Sequence, residues 1–348
     1  LGRVRVSGYG VLAAPVLRRL GLREGDSMSI DAARAEIDRI DQELGRLLDA
    51  RAGLVRSVAE EKAGARLATY DPEREAAILA GSHHPAVTAA LLRESKAEQV
   101  RVAPPAEPLP RVLHPGFTVV AGPCSAEDPR QLDEVGAELV RLGVRCMRAG
   151  VWKPRTSHGG FQGHGPPALA WMRGACDRYG LELWTEIRDL ANIPEAEGRV
   201  DVAWIGARNG QCFELLRAVG RSFPRVVLKR GAGMTVEEWI AAAGYVQAGG
   251  AAVALCERGI RGFDRSFRNT LDLAGAAWAR RLSGLEVLVD VSHSTGLPAL
   301  AAPMAAAAQA AGLDGVMAEA HPRPRESVTD ADQALSFAEL GAMVRGLR

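Results

Sequence analysis

The sequence has few cysteines, few lysines, almost no net charge and no long hydrophobic run. Its 43 basic and 42 acidic residues leave a formal charge of +1, which gives no electrostatic reason to expect a nucleic acid or an anionic membrane as partner. No uninterrupted apolar run reaches the roughly 18 residues that a membrane-spanning helix needs. The five cysteines are an odd number without a CxxC pair, which argues against a disulfide framework and favours a reducing cytoplasm.

Arginine takes the place of lysine almost everywhere in the chain. Only four of the 43 basic residues are lysines, at positions 62, 96, 153 and 229. A lysine kept in such a chain is expected where a compact ammonium group is needed rather than a planar guanidinium. With 348 residues, the chain is about twice the usual domain size, so we expect two domains.

The first part of the chain predicts an arm followed by a long helix. Residues 1–27 are interpreted as an N-terminal arm, or as translated sequence upstream of a true start at Met28. From Asp31 to about Lys62, residues on one helical face recur at steps of three and four, which predicts a helix roughly 50 Å long. This stripe is expected to pack against a second copy of itself, because a small domain cannot cover it.

Two shorter helices complete an all-α, three-helix domain at 28–101. Asp71 followed by a proline is typical of a helix start. The third helix is predicted from about Pro85 to Val100. No strand pattern interrupts these helices, so the first domain belongs to the all-α class.

A proline-rich linker and a change of sequence pattern mark the start of the second domain. Five prolines between 104 and 115 predict a semi-rigid linker over 102–115. Over 116–348, eight short apolar runs alternate with helical stretches, which fits an α/β fold, a (β/α)8 TIM barrel. We favour the barrel over an open doubly wound sheet because the units repeat evenly. The predicted strands are 117–121, 145–151, 181–187, 202–206, 225–228, 252–256, 286–289 and 315–318.

Nearly every predicted strand ends in polar residues, and the carboxyl ends of barrel strands meet at one mouth. Six cations would converge there and repel one another unless anions were bound. Guanidinium forks suit phosphate and carboxylate oxygens, and lysine supplies a compact charge. The six cations are Arg148, Lys153, Arg155, Arg208, Lys229 and Arg258.

A second set of residues at the same mouth predicts a metal site. Cys124, His293, Glu319 and Asp330 come from three strand ends and the segment beyond the last strand. Thiolate, imidazole and carboxylate suit one borderline divalent ion, for which we expect Mn²⁺, with Fe²⁺, Co²⁺ or Zn²⁺ also suitable. Asp332 lies two residues after Asp330, and spacing does not choose between them.

The barrel motifs resemble 3-deoxy-D-arabino-heptulosonate 7-phosphate (DAHP) synthase of type I, beta subgroup. The resemblance covers about residues 112–345 and departs from the family at Val291, where proline is usual. It implies condensation of phosphoenolpyruvate with erythrose 4-phosphate, the first step of the shikimate pathway of aromatic amino-acid biosynthesis. The motifs that carry it are GPCSAE (122–127), KPRTS (153–157), GARN (206–209), LKRG (228–231), CERGIR (256–261), DVSH (290–293) and EAHP (319–322).

The same resemblance implies a role for each residue at the mouth. Glu186 would lie near the reacting centre and stabilise positive charge or position water, while Arg155 and Thr156 would take the erythrose 4-phosphate. The metal would polarise the aldehyde as a Lewis acid. Its ligands would be Cys124, His293, Glu319 and Asp330, and phosphoenolpyruvate would be held by Arg148, Lys153, Arg208, Lys229 and Arg258.

The helical domain carries a separate set of polar residues. Three cations share the stripe of the long helix, three residues cluster at the start of the second helix, and Ser95 and Gln99 share a face of the third. From spacing alone, the cations could instead lie along the edge of the stripe and Asp71 could simply cap a helix. The full set is Arg34, Arg51, Lys62, Asp71, Arg74, Glu75, Ser95 and Gln99.

These eight positions match the active site of the all-helical chorismate mutase family, which the chain resembles over about 29–101. The resemblance implies an isomerase that holds a dicarboxylate in a compact conformation without a cofactor. Each site would be shared between subunits of a homodimer formed through the helices, which barrel contacts could double to a tetramer. Carboxylates would be bound by Arg34 and Arg51, the ether oxygen by Lys62 and Gln99, and the hydroxyl by Glu75 and Asp71.

We therefore expect a bifunctional cytoplasmic enzyme, a transferase and an isomerase, whose mutase domain also mediates feedback inhibition by prephenate or chorismate. One alternative is a monofunctional synthase whose helical domain only senses these compounds. A second is arabinose 5-phosphate as the sugar; KPRTS argues against it, because the related 3-deoxy-octulosonate 8-phosphate synthases carry KANRTS-like sequences. A third, a non-enzymatic scaffold, predicts no metal.

Overall fold

The computed structural model describes residues 3–5, 27–64, 72–102, 111–153 and 159–347. They form a helical unit followed by a closed parallel barrel. Most of the predicted arm, much of the linker, Asp71, Arg155 and Thr156 lie outside the described residues. Within those ranges, no helix has the length and apolar character needed to cross a membrane.

Three helices build the helical unit, as predicted. They are α1 (Ile30–Gly64), α2 (Pro72–Ala80) and α3 (Pro85–Val102). Ahead of them, β1 (Arg3–Arg5) pairs antiparallel with β2 (Ser27–Ser29). The sequence pattern did not predict this sheet, because three-residue strands hold too few residues for a period to be recognised.

The apolar stripe of α1 is largely uncovered in the single chain. Polar contacts join α1 to α3, including an ion pair between Arg56 Nε and Glu98 Oε1 at 2.7 Å. Of the members of the stripe, Ile37 is 55% exposed, and Leu44, Leu48 and Val58 are exposed as well. On the neighbouring face of α1, Leu47 is 59% exposed and Leu54 is 69% exposed.

Eight parallel strands close the barrel, so the open-sheet alternative is wrong. Closure comes from the pairing of the last strand with the first, Gly315 opposite Thr118. The run 145–151 gives only a three-residue strand, because the Gly150 N–H turns to donate to the Cys124 carbonyl at 3.1 Å. The strands are β3 (Thr118–Gly122), β4 (Cys146–Arg148), β5 (Glu182–Glu186), β6 (Val202–Ile205), β7 (Arg225–Lys229), β8 (Ala252–Glu257), β9 (Glu286–Asp290) and β10 (Gly315–Glu319).

Helices between the strands cover the outside of the barrel. Several start at side-chain caps: Asp128 accepts from the Gln131 N–H, and Thr235 forms a capping box with Glu238. The helices are α4 (Pro129–Leu142), α5 (Pro166–Tyr179), α6 (Ile193–Ala196), α7 (Phe213–Ser222), α8 (Val236–Gln247), α9 (Leu273–Ser283), α10 (Val291–Thr295), α11 (Pro298–Ala310) and α12 (Phe337–Gly346).

The barrel interior is packed with apolar side chains at its amino-terminal end. Trp184 and Trp204 fill it from the strands, and Val112 and Leu113 enter from the segment before β3. The N–H groups of Val112 and Leu113 donate to Glu286 Oε2 at 2.6 and 3.0 Å. The candidate catalytic side chains lie at the other end, where the carboxyl ends of the strands meet.

Candidate active site

The four predicted metal ligands meet at the carboxyl end of the barrel. Cys124 follows β3, His293 lies in α10 after β9, and Glu319 ends β10. With Asp330 from the next loop, each offers one ligand atom within 4.8 Å of the others. Asp332 is not a member of this group.

The atoms of this metal group are close enough to share one ion. Cys124 Sγ lies 3.3 Å from Asp330 Oδ2, and His293 Nε2 lies 3.3 Å from Glu319 Oε1 and 3.7 Å from Asp330 Oδ2. Asp330 has a φ of 49°, a left-handed conformation that is uncommon outside glycine. One sulfur, one nitrogen and two carboxylates fit a borderline divalent ion.

Asp290 orients the histidine of the metal group. Its Oδ2 lies 2.9 Å from His293 Nδ1 and accepts from Lys229 Nζ at 2.6 Å. Burial acts to raise the pKa of Asp290, but His293 and Lys229 outweigh it and hold that pKa well below its usual range. Burial lowers the pKa of His293. With Nδ1 bound to Asp290, Nε2 faces Glu319 and Asp330. Asp290 stands in the DVSH motif, yet the motif alone assigned only the histidine.

Two side chains that the sequence pattern missed hold the carboxylates. Gln333 Nε2 donates to Glu319 Oε2 at 2.5 Å, and Arg268 lies 3.5 Å from Asp330 Oδ2 while also donating to Gln333. Both come from loops outside the strand ends. No periodicity or motif pointed to them.

A lysine and an arginine lie directly against the metal group. Lys153 Nζ is 3.0 Å from Cys124 Sγ, and an Arg148 guanidinium nitrogen is 3.1 Å from Glu319 Oε1. Burial raises the pKa of the Cys124 thiol to about 12, with Glu319 adding to the shift and Lys153 opposing it. Binding an ion would therefore displace a proton from this sulfur.

Two of the predicted cations lie over the ring of Trp204. Arg148 and Lys229 lie 5.1 and 5.3 Å from the centre of the Trp204 ring, within cation–π range. Arg148 Nε is buried and has no hydrogen-bond partner among the described residues. Burial, with Arg268 adding, lowers the pKa of Arg258, whereas Arg208 is exposed. An unpaired buried donor among crowded cations is the environment of an anion site.

Glu186 ends β5 and is buried in the same mouth. Its carboxylate packs on Gly206, where a Cβ atom would come within 2.0 Å of Oε1. Glu186 also contributes a negative field at Arg148 and Lys153. The glycine at the end of β6 therefore leaves the space that this carboxylate occupies.

Of the eight residues predicted to form a site in the helical unit, the structure brings only some together. Arg51 donates to Ser95 Oγ at 2.5 Å across α1 and α3, and Gln99 Oε1 is buried with no hydrogen-bond partner among the described residues. Lys62 and Glu75 are half-buried and Arg74 is exposed. Arg34 lies apart from Arg51: its side chain is 74% exposed and 3.8 Å from Asp31.

Two family models match the chain, one for each unit. The DAHP synthetase I family matches residues 114–346, and chorismate mutase type II matches residues 33–99. The first match contains the whole barrel with its metal group, and the second contains α2 and most of α1 and α3.

Curated relatives and a solved structure are similar to about two thirds of the chain. A phospho-2-dehydro-3-deoxyheptonate aldolase of Thermotoga maritima is 41% identical over 233 residues, which are 67% of this chain and 69% of that protein. A 2-dehydro-3-deoxyphosphooctonate aldolase of Nitrobacter hamburgensis is 28% identical over 66% of this chain and 86% of that protein. A crystal structure of the Thermotoga maritima DAHP synthase superposes with a TM-score of 0.66 at 38% identity, over 69% of this chain and 73% of that one.

Proposed function

Because the chain belongs to the DAHP synthetase I family and carries a chorismate mutase type II domain ahead of the barrel, we propose that it catalyses both reactions, each on its own domain. The barrel would condense phosphoenolpyruvate with erythrose 4-phosphate to DAHP and phosphate. The observation that carries the proposal is the metal group lying directly beside buried cations. The domain limits we propose are 28–101 for the mutase, 102–115 for the linker and 116–348 for the synthase.

The cations of the mouth would bind phosphoenolpyruvate. Arg148 and Lys229 both lie close to the Trp204 ring, so an anion bound beside them would meet two positive charges. Arg258 and Arg208 would add contacts to its phosphate and carboxylate, as forked donors do. Lys153 would bind between this anion and the metal group, since its Nζ touches Cys124 Sγ.

The metal group would hold one divalent ion through Cys124, His293, Glu319 and Asp330. When bound, that ion would supply a Lewis acid for the aldehyde oxygen of the sugar phosphate. We propose Mn²⁺, with Fe²⁺, Co²⁺ and Zn²⁺ as ions the same donors accept. Asp290 and Gln333 would keep the imidazole and the Glu319 carboxylate oriented for it.

The condensation needs a carbon–carbon bond, a water and a leaving phosphate. The enol carbon of phosphoenolpyruvate would attack the aldehyde carbon, and the neighbouring carbon would become electron-deficient. The aldehyde oxygen would receive the carbonyl electrons and take up a proton. Water would add to the electron-deficient carbon and lose a proton, and phosphate would then leave with the electrons of its C–O bond as the new hydroxyl loses its proton to form the ketone. Glu186 is buried beside Arg148 and Lys153, a location suited to stabilising this positive charge or positioning the water.

The synthase proposal is tested by removing and restoring metal. Purified chain stripped with a chelator should lose condensation of erythrose 4-phosphate and regain it on addition of Mn²⁺. Arabinose 5-phosphate, offered in parallel, should react at least about tenfold more slowly. Equal activity before and after chelation, or a preference for arabinose 5-phosphate, would contradict the assignment.

For the helical unit we propose a chorismate mutase site built on Arg51. Arg51 held by Ser95 and the unpartnered Gln99 Oε1 support it. Lys62 would join Gln99 at the ether oxygen, Glu75 and Asp71 would orient the hydroxyl, and Arg74 would lie at the rim. Arg34 lies away from Arg51 in its own chain, so we assign it to the site of a second copy.

A regulatory role of the mutase domain is the second candidate. It is favoured by ligand-binding residues joined to a complete synthase barrel. Prephenate added to the full chain should then inhibit condensation, and Arg51→Ala should relieve the inhibition. Undiminished condensation at saturating prephenate would leave the mutase as a catalyst only.

The five free cysteines support our further proposal that the enzyme works in the reducing cytoplasm.

A further inference from the structure

A second group of metal-binding side chains lies at the opposite, amino-terminal end of the barrel. Cys146 and Glu182 begin β4 and β5, and His114 precedes β3. Each offers one ligand atom, and these atoms lie within 4.8 Å of one another. We propose that this floor group binds one Zn²⁺ ion, separate from the ion of the barrel mouth.

Two of the three ligand–ligand distances match tetrahedral zinc, and the third, between His114 and Cys146, is within 4.8 Å. Zn–S bonds of about 2.3 Å and Zn–N or Zn–O bonds of about 2.1 Å give ligand–ligand edges of about 3.6 Å for S–O and about 3.4 Å for N–O. Glu182 Oε2 lies 3.6 Å from Cys146 Sγ and 3.2 Å from His114 Nε2. Little movement is therefore needed to close the three around an ion.

The buried Nε2 atom of His114 is a candidate metal ligand. This nitrogen has no hydrogen-bond partner among the described residues, because the short contact to Glu182 lacks hydrogen-bond geometry. A buried nitrogen in this state is costly unless something binds it. A lone pair on neutral imidazole is a preferred zinc donor.

Glu182 is held in place by side chains that do not themselves bind metal. Arg225 donates to the other carboxylate oxygen, Oε1, at 2.9 Å, and Trp184 Nε1 donates to Oε2 at 3.3 Å. Such outer partners fix the orientation of a ligating carboxylate. The thiolate and carboxylate would balance the charge of Zn²⁺, and the thiol proton would pass to solvent.

A cavity of about 250 Å³ beside the group is lined by His114 and Cys146. It leaves room for water as the fourth ligand, since three protein donors fill three tetrahedral positions. His114 follows the segment whose N–H groups are held by Glu286. The ion would thus tie the end of the linker to the first residues of two barrel strands.

The test uses Co²⁺ as a coloured substitute for zinc. In the full chain carrying Cys124→Ser, the mouth site has no thiolate, so a thiolate-to-cobalt charge-transfer band must come from another cysteine. We expect one equivalent of Co²⁺ to produce this band and Zn²⁺ to displace it. Adding Cys146→Ser should abolish the band. If Cys124→Ser alone shows no band, the floor site is wrong.

Two further variants in the same background decide the identity of the ligands. His114→Asn, at a half-exposed position, should weaken Co²⁺ binding at least about tenfold, and it decides the matter if Cys146→Ser does not fold. Cys212→Ser removes the exposed cysteine and should leave the band unchanged. A band lost with Cys212, or unaffected by the His114 substitution, would overturn the proposal.

Discussion

Each proposed ligand of the metal group is held by a second side chain. Asp290 contacts His293, Gln333 donates to Glu319, and Lys153 lies against Cys124. These partners fix the orientation of the ligands before an ion arrives. Metal affinity should therefore depend on residues that never touch the metal.

Gln333→Leu tests this dependence. The substitution removes the 2.5 Å hydrogen bond to Glu319 Oε2 while keeping a side chain of similar size, so metal affinity should fall about 10- to 100-fold. Competition with a coloured chelator measures the change. Gln211→Leu, at an exposed position, is the control and should bind metal like the unchanged chain. Equal affinity in both variants would show that Gln333 does not position the ligand.

The site residues differ in how far the sequence could predict them. Cys124, His293 and Glu319 follow strand ends, and barrel strands bring their carboxyl ends together whatever the loops do. Arg268 and Gln333 meet only because two loops fold over the mouth. Loop conformation follows no period, so these partners required the structure.

At the scale of the strand, the glycine after β6 leaves the space occupied by the carboxylate of Glu186, to which we assign a catalytic role. Gly206 follows Ile205, and a Cβ there would come within 2.0 Å of Glu186 Oε1. The atom that this Cβ would meet, Glu186 Oε1, is at the far end of a flexible side chain, so the carboxylate can move away. Such a movement would displace Glu186 from the reacting carbon without breaking the barrel.

Gly206→Ala should therefore damage catalysis more than folding. We expect kcat for condensation to fall about 100-fold, as a displacement near 1 Å can cause, and the free energy of unfolding to change by no more than about 1 kcal/mol. Steady-state kinetics and urea unfolding provide the two measurements. Gly233→Ala, where a Cβ would have nothing within 4 Å, serves as the control. An unchanged kcat would remove Glu186 from the mechanism.

The uncovered face of α1 makes a prediction at the scale of the helix. Burying one leucine contributes about 2 kcal/mol, so Leu47→Lys should weaken self-association at least about thirtyfold. Light scattering over a range of concentrations would show a dimer in the unchanged chain and monomer in the variant. Leu190→Lys, at an exposed leucine of the barrel, should leave the dimer intact. A monomeric unchanged chain would contradict the expectation.

Element prediction succeeded where residues repeat and failed where they do not. Residues spaced three and four apart on one face predicted α1 to within two residues of Ile30–Gly64. Eight apolar runs predicted the eight barrel strands. The run at 145–151 was too long because, beyond Arg148, only an isolated bridge between Gly150 and Ser125 continues the pairing, and the last residues are buried outside the ladder. Burial alone therefore does not distinguish a strand from a covered loop.

At the scale of the whole molecule, the two chemistries are assigned to two structural units, the helical unit and the barrel. Among the described residues, the synthase candidates come from the barrel and the mutase candidates come from the three helices. The two family matches are likewise separate, ending at residue 99 and beginning at residue 114. A substitution in one site should thus leave the chemistry of the other intact.

The most direct test assays both reactions on two single variants. Cys124→Ala removes the sulfur of the metal group. The rate of condensation should fall at least about 1000-fold, because the activation free energy rises by several kcal/mol when the metal is lost. Chorismate rearrangement should continue. Arg51→Ala should lower the rearrangement about 100-fold or more while condensation continues. If either folded variant loses both activities together, the two sites are not independent and the account is wrong.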